Sequence, residues 1–254
     1  MKYYERLVDL GCFTTDDVAG LTGNRETAHS VIKAYKKKGL VENVRRDLLV
    51  AMSLETKQPV PNRYAIASHA APGAYIAYHS ALEYHGIANQ VYFELFAASK
   101  SRFRMFVHGG LTYTHTQSPI DAGVESKDGG VRVTDLERTV IDGINDFSKV
   151  GGLEELLRSI EMIPYLESRK LLEYLNAYNK KFLYQKAGYI LEHYKNGLKL
   201  SDDFFAVCKS KITNSKRYLY AGMQGESPVY HKSWALCVPK NFTTITQKGA
   251  NYVE

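Results

Sequence analysis

Apolar residues in the N-terminal part of the chain recur at intervals of three and four, the spacing of amphipathic helices. Over 2–10, Tyr3, Leu7 and Leu10 share a face, and Gly11 suits the left-handed position that closes a helix. Thr14 or Thr15 caps a short second helix over 16–21, with Asp16 and Asp17 at the positive end of its dipole. Thr22-Gly23-Asn24 makes a turn, and Asn24 caps a third helix reaching Lys38. There Ala28, Val31, Ile32 and Tyr35 fall on one side and pack inward. A hairpin follows, with strands over 40–44 and 48–52 and Arg45-Arg46-Asp47 at its tip. Three short helices followed by a hairpin is the order of a winged helix-turn-helix.

The next stretch, 53–61, is polar with two prolines and reads as a linker, which puts a domain boundary near residue 56. Beyond it a helix over 78–84 stops at Gly86. Aromatic, alternating segments over 91–97, 103–108 and 111–115 predict strands, with Gly109-Gly110 as a two-residue turn. The segment VRVTDLERTVIDGI, over 131–144, runs from strand to helix. Thr134 and Glu137 have the spacing of a capping box, and Asp135 adds charge at the helix start. Arg138 and Asp142, four apart, suit an ion pair worth about 0.3–0.5 kcal/mol if exposed.

After Gly151-Gly152 helical periodicity returns over 153–162, 168–176, 181–194 and 202–210, with Ser168 and Ser201 as caps, and 218–220 and 234–238 regain strand character. The predicted fold class is therefore α/β of the α+β kind. A winged helix-turn-helix spans 1–56, a mixed α/β part about 57–148, and a mainly helical part about 149–254. No repeat, low-complexity tract or phosphate loop interrupts this order.

Composition changes the picture little. The 254 residues are 44% hydrophobic and 24% charged, ordinary for a folded domain. No run of eighteen apolar residues predicts a membrane span, and the opening Met-Lys-Tyr-Tyr-Glu-Arg leads into no signal-peptide core, so a cytoplasmic location is expected. Cys12, Cys208 and Cys237 lack the spacing of a zinc site or disulfide framework and are expected to be buried.

Charge placement matters more. The net charge is +6. Residues 25–46 hold seven basic side chains against Glu26 and Glu42, and 166–217 hold eleven against five acidic ones. In helix-turn-helix proteins the start of the recognition helix meets base edges, and later positions and the wing meet phosphates. Arg25, Thr27, His29 and Ser30 are therefore candidates for base contacts, with Asn24 at the same helix end, while Lys33, Lys36, Lys37, Arg45 and Arg46 are candidates for phosphate. A solvated helix face and a winged helix used for protein contacts are the competing readings.

Catalytic patterns are weaker. Pro119, Asp121, Glu125 and Lys127 loosely match a metal-dependent nuclease, but the acids are too close in sequence and Gly123, Asp128 and Gly129 predict loops. His79, Ser80, Glu83 and His85 include a hydroxyl and two imidazoles, yet capping and packing explain them. No enzyme activity, metal or cofactor is expected.

The segments Tyr78-His-Ser-Ala-Leu-Glu-Tyr-His-Gly86, Thr134-Asp-Leu-Glu-Arg-Thr139, Gly151-Gly-Leu153, Gln185-Lys-Ala-Gly-Tyr-Ile-Leu-Glu192 and Lys232-Ser-Trp-Ala-Leu236 occur in an order that resembles the AbiEi family of bacterial antitoxin repressors. The resemblance implies a winged-helix autorepressor that binds inverted repeats in its own promoter. It also implies a C-terminal region that neutralises a co-encoded nucleotidyltransferase toxin in a type IV, phage-defence abortive-infection system, without requiring a complex between the two. The tip departs from the expected Arg-Gly turn by carrying Arg45-Arg46-Asp47. A ligand-responsive regulator outside toxin systems remains the alternative, with a metal-dependent nuclease behind it.

Overall fold

Residues 2–223 and 227–246 are described by the structure, a computed structural model. The protein is a mixed α+β fold in two compact units. The first unit comprises Met1–Ser80, Tyr92–Ser118 and Val124–Thr134, and the second Ala81–Val91, Pro119–Gly123 and Asp135–Glu254.

The first unit begins with α1 (Tyr4–Leu10), β1 (Cys12–Phe13), α2 (Thr15–Thr22), α3 (Arg25–Lys37), β2 (Val41–Arg45) and β3 (Leu48–Ala51). Gly11 ends α1 at φ 65°, and its N–H returns to the Leu7 and Val8 carbonyls. Thr14 caps α2 in a capping box with Asp17. Leu7, Phe13, Val18, Ala28, Ile32, Leu40 and Leu49 pack into one apolar core. The strands form an antiparallel sheet in the order β1-β3-β2, with Cys12 opposite Val50. Two residues are too few to show alternation, so β1 left no sequence signal.

The expected boundary near residue 56 falls inside this unit. Val60 N–H donates to the Ala51 carbonyl at 2.8 Å, and Ser53 Oγ accepts from the Glu55 and Thr56 N–H groups. Residues 53–61 thus make a tight turn folded back on β3.

The rest of the unit is a six-stranded mixed sheet. Its strands are β4 (Tyr75–Ile76), β5 (Glu94–Ser99), β6 (Phe106–His108), β7 (Leu111–Gln117), β8 (Val124–Lys127) and β9 (Val131–Thr134), in the order β6-β7-β5-β4-β9-β8. β5 runs parallel to β7, and β4 to β9. Gly109 and Gly110 turn β6 into β7 at φ 57° and 77°, both left-handed, as a two-residue hairpin of this type requires. α4 (Arg63–Ser68) is capped by Asn62 and buries Ala65, Ile66 and Ala67. β8 corrects the expected loop: its polar residues sit on an edge strand, where no apolar face is needed.

The chain passes between the units within α5 (His79–Tyr84). The second unit is built on α6 (Leu136–Asn145), α7 (Leu153–Glu161), α8 (Ser168–Tyr178), α9 (Lys181–His193) and α10 (Asp202–Lys211). A small sheet completes it, β10 (Arg217–Tyr218), β11 (Val229–His231) and β12 (Leu236–Val238), ordered β10-β12-β11.

α6 begins one residue later than its sequence suggests. Asp135, not Thr134, is the cap and accepts the Arg138 N–H at 2.8 Å. Glu137 instead accepts the Glu167 N–H at 2.9 Å, because the neighbouring α8 start offers an orphan donor. Arg138 and Asp142 do pair, at 2.7 Å, but both are fully buried. Arg138 Nη1 also donates to the Ile120 and Ala122 carbonyls. Around them Tyr174 donates to Asp135, and Tyr178 donates to Asp142. Burial outweighs Arg138 and pushes the Asp142 carboxyl above its ordinary range.

At the other side of α9, Trp234 lies against Gly188. Its indole N–H donates to Glu192 at 2.7 Å, and its carbonyl accepts from the Gln185 amide at 3.1 Å. Ser201 caps α10, whereas Ser168 is not a cap: Glu167 occupies that position, and the Ser168 hydroxyl accepts the Ser201 N–H.

Candidate nucleic-acid interface

Helix α3 is amphipathic by construction. Asn24 Oδ1 accepts the Glu26 and Thr27 N–H groups at 2.7 and 3.2 Å, which fixes the helix start. Ala28, Ile32 and Tyr35 are buried, with Val31 packed partly beside them. Arg25, Thr27, His29, Ser30, Lys33, Lys36 and Lys37 are all exposed. Arg25 reaches Asp16 on α2 at 3.3 Å, with both side chains about 70% exposed (69% and 75%). Such a surface pair is worth about 0–1 kcal/mol, so it leaves Arg25 available to another partner.

The hairpin divides the expected tip residues. Arg46 projects with 95% of its side chain exposed, and Asp47 beside it takes φ 60°, a left-handed conformation that Asp tolerates. Arg45 departs from the expectation. Its Nη2 donates to the Ala70 carbonyl at 2.5 Å, and its guanidinium lies 5.8 and 5.7 Å from the Phe103 and Phe106 ring centres. A β-bulge between Asn43 and Arg45 shifts the register there, and a one-residue shift turns a side chain to the opposite face. Arg45 therefore braces β2 internally instead of standing in the exposed set.

In the second basic stretch, Lys186 is also withdrawn. It is 6% exposed, donates to the Asn145 carbonyl at 3.2 Å, and lies 4.2 Å from the Phe147 ring centre. Burial lowers its pKa to about 8. An unfolded lysine holds its proton up to about 10.4, so between about pH 8 and 10.4 the unfolded state binds more protons and folding stability rises with pH through this group. Lys186→Met removes that term. The stability advantage of the variant over the parent, measured by urea unfolding, should be greatest below pH 8 and shrink steadily toward pH 10.4. A constant difference across this window would refute the assignment.

The catalytic patterns gain no geometry. Glu125 and Lys127 lie on β8 and pair with each other at 2.7 Å, while Asp121 belongs to the second unit. Ser80 Oγ accepts the Phe96 N–H at 2.8 Å. Among the described residues, no group of three or more His, Cys, Asp or Glu is placed to hold a metal ion, and no helix is long and apolar enough to cross a membrane.

One basic feature escaped the sequence reading. Arg102 and Arg104 flank Phe103 and line a cleft of about 560 Å3 in the first unit. The run Lys100-Ser-Arg-Phe-Arg-Met105, with cations at alternate positions around an aromatic residue, is the signal that could have found it.

No known protein family matches the chain. No curated protein matches it either. Among solved structures it is similar to the crystal structure of the RV2827C protein from Mycobacterium tuberculosis, with TM-score 0.64 and 13% identity over 98% of this chain and 94% of that one. At that identity the likeness is one of fold.

Proposed function

We propose that residues 4–51 are a winged helix-turn-helix and that the protein is a sequence-specific repressor binding duplex DNA at inverted repeats in its own promoter. The observation that carries this reading is the exposed, basic outer face of α3 behind an apolar inner face, in the order α-β-α-α-β-β with Arg46 at the hairpin tip. Arg25, Thr27, His29 and Ser30 read base edges. Lys33, Lys36, Lys37 and Arg46 meet phosphates.

Gel shifts with promoter and random duplexes across a salt series test this. Arg25→Ala should lose about 1–3 kcal/mol of discrimination between the two, whereas Lys37→Ala should weaken both alike and reduce the slope of log K against log salt by about one. Loss of discrimination from Lys37→Ala, with Arg25→Ala unchanged, would reverse the proposed orientation of α3.

The AbiEi resemblance supports a further role as a cytoplasmic antitoxin against a co-encoded nucleotidyltransferase. Two of the segments that carry it meet, since Gln185 and Glu192 hold Trp234, and a third, Thr134–Thr139, supplies the buried Asp135 and Arg138. Full-length Arg25→Ala/Lys37→Ala, expressed from an unrelated promoter, should rescue growth against the neighbouring toxin while failing to repress. Failure to rescue, with the protein confirmed folded, would tie both activities to α3.

A further inference from the structure

We propose that the cleft between residues 102–105 and β7 is a second phosphate-contacting surface, which carries duplex DNA beyond the footprint of α3. This rests on the DNA-binding reading above and extends it to a part of the chain remote in sequence from the helices.

The cleft is lined by Arg102, Phe103, Arg104, Met105, Thr114 and His115. Backbone alternation sends Phe103 inward, to 6% exposure, and leaves Arg102 and Arg104 exposed on either side of it. Neither arginine has a hydrogen-bond or ion-pair partner among the described residues. The Phe103 ring is held edge-on by His115, with centres 5.2 Å apart, and Arg45 lies over it at 5.8 Å. Because Arg45 immediately precedes Arg46, this contact seats the 102–104 strip beside the exposed hairpin tip. The strip and the tip thus lie near one another in the first unit. Thr114 gives its hydroxyl to the Glu94 carboxylate at 2.6 Å, so one acidic group lies behind the cleft wall.

Duplex DNA is the occupant that this chemistry fits. It presents about one negative charge per 1.7 Å of axis, and two unpaired guanidinium groups that remain in solvent match a backbone running past them. A small phosphorylated ligand would need a site that buries about 70–90% of its surface, which exposed arginines do not provide.

The test uses full-length Arg102→Gln/Arg104→Gln and a promoter duplex long enough to extend past the repeats, with binding measured over a salt series. Each lost phosphate contact should reduce the slope of log K against log salt by about 0.9, hence about 1.8 for the pair, with promoter-to-random discrimination unchanged. Nuclease protection should shorten at the flanks, and a duplex trimmed to the repeats should bind variant and parent alike. An unchanged slope for this variant, alongside a reduced one for Lys37→Ala, overturns the second surface and leaves the α3 reading standing. Absence of salt-dependent binding by the parent overturns both. Both positions are exposed, so the unfolding midpoint should not move.

Discussion

Arg138→Met is expected to destabilise the protein by about 3–5 kcal/mol, because it strands a buried carboxylate. Asp142 is fully buried, and Arg138 is its ion-pair partner. One of the carboxylate oxygens, Oδ2, already lacks a hydrogen-bond partner. Loss of the guanidinium also deprives the Ile120 and Ala122 carbonyls of a donor, a further desolvation cost. For a chain of this size the midpoint of thermal unfolding should fall by about 2–4 °C per kcal/mol.

The pH dependence separates this cause from lost packing. Burial already raises the Asp142 pKa, and removing Arg138 raises it further. A carboxyl raised above its unfolded value contributes stability below that value and loses it as pH rises through the folded pKa. The variant should therefore lose more stability, relative to the parent, at pH 8 than at pH 5. Arg138→Met/Asp142→Leu removes both charges and should recover at least half of the loss. A single variant within about 0.5 kcal/mol of the parent, the usual range for surface changes, would show that Asp142 finds another partner.

Gly188→Ala offers the opposite lesson, since local propensity and packing disagree in sign. In mid-helix, alanine is favoured over glycine by about 1 kcal/mol. At this position an added Cβ would meet the Trp234 ring, with Cε3 at 3.0 Å and Cζ3 and Cη2 nearer still. The ring cannot slide away freely: its N–H is tied to Glu192 and its own carbonyl to Gln185. Overpacking typically costs about 1–3 kcal/mol and here should exceed the propensity gain, so urea unfolding should show net destabilisation. Adding Trp234→Leu should make the pair less destabilised than the sum of the two single variants. Additive effects would place the two residues out of contact.

Much of this architecture was legible because its signals are local. The α3 inner face of Ala28, Ile32 and Tyr35, the Gly109-Gly110 turn, and the Asn24 and Ser201 caps each depend on residues a few positions apart. What stayed hidden depends on partners distant in sequence. Arg45 looks like any hairpin-tip arginine until Ala70, Phe103 and Phe106 are brought beneath it. Glu137 reads as half of a capping box until Glu167 presents its N–H. The Arg138–Asp142 spacing predicted the pair correctly but could not reveal that both charges leave solvent, which turns a weak surface contact into a costly commitment. The candidate site divides in the same way: α3 was readable from its periodicity, whereas the cleft at Arg102 and Arg104 needed β7 to supply its other wall.

The order of strands in the six-stranded sheet has a consequence during protein synthesis. Strand β4 lies between β5 and β9, and Ile76 pairs in parallel with Val133, roughly 57 residues later. At about 5–20 residues per second, the ribosome takes about 3–11 s to make the segment between them. Throughout that interval the β9 edge of β4 has no strand to bond with, and it stays open even after β5 is made and covers the other edge. An open edge of this kind is a template for pairing with another nascent chain. Slower translation across 77–133 would prolong the exposure, so the yield of native protein should depend on codon choice within that window more than on codons after it.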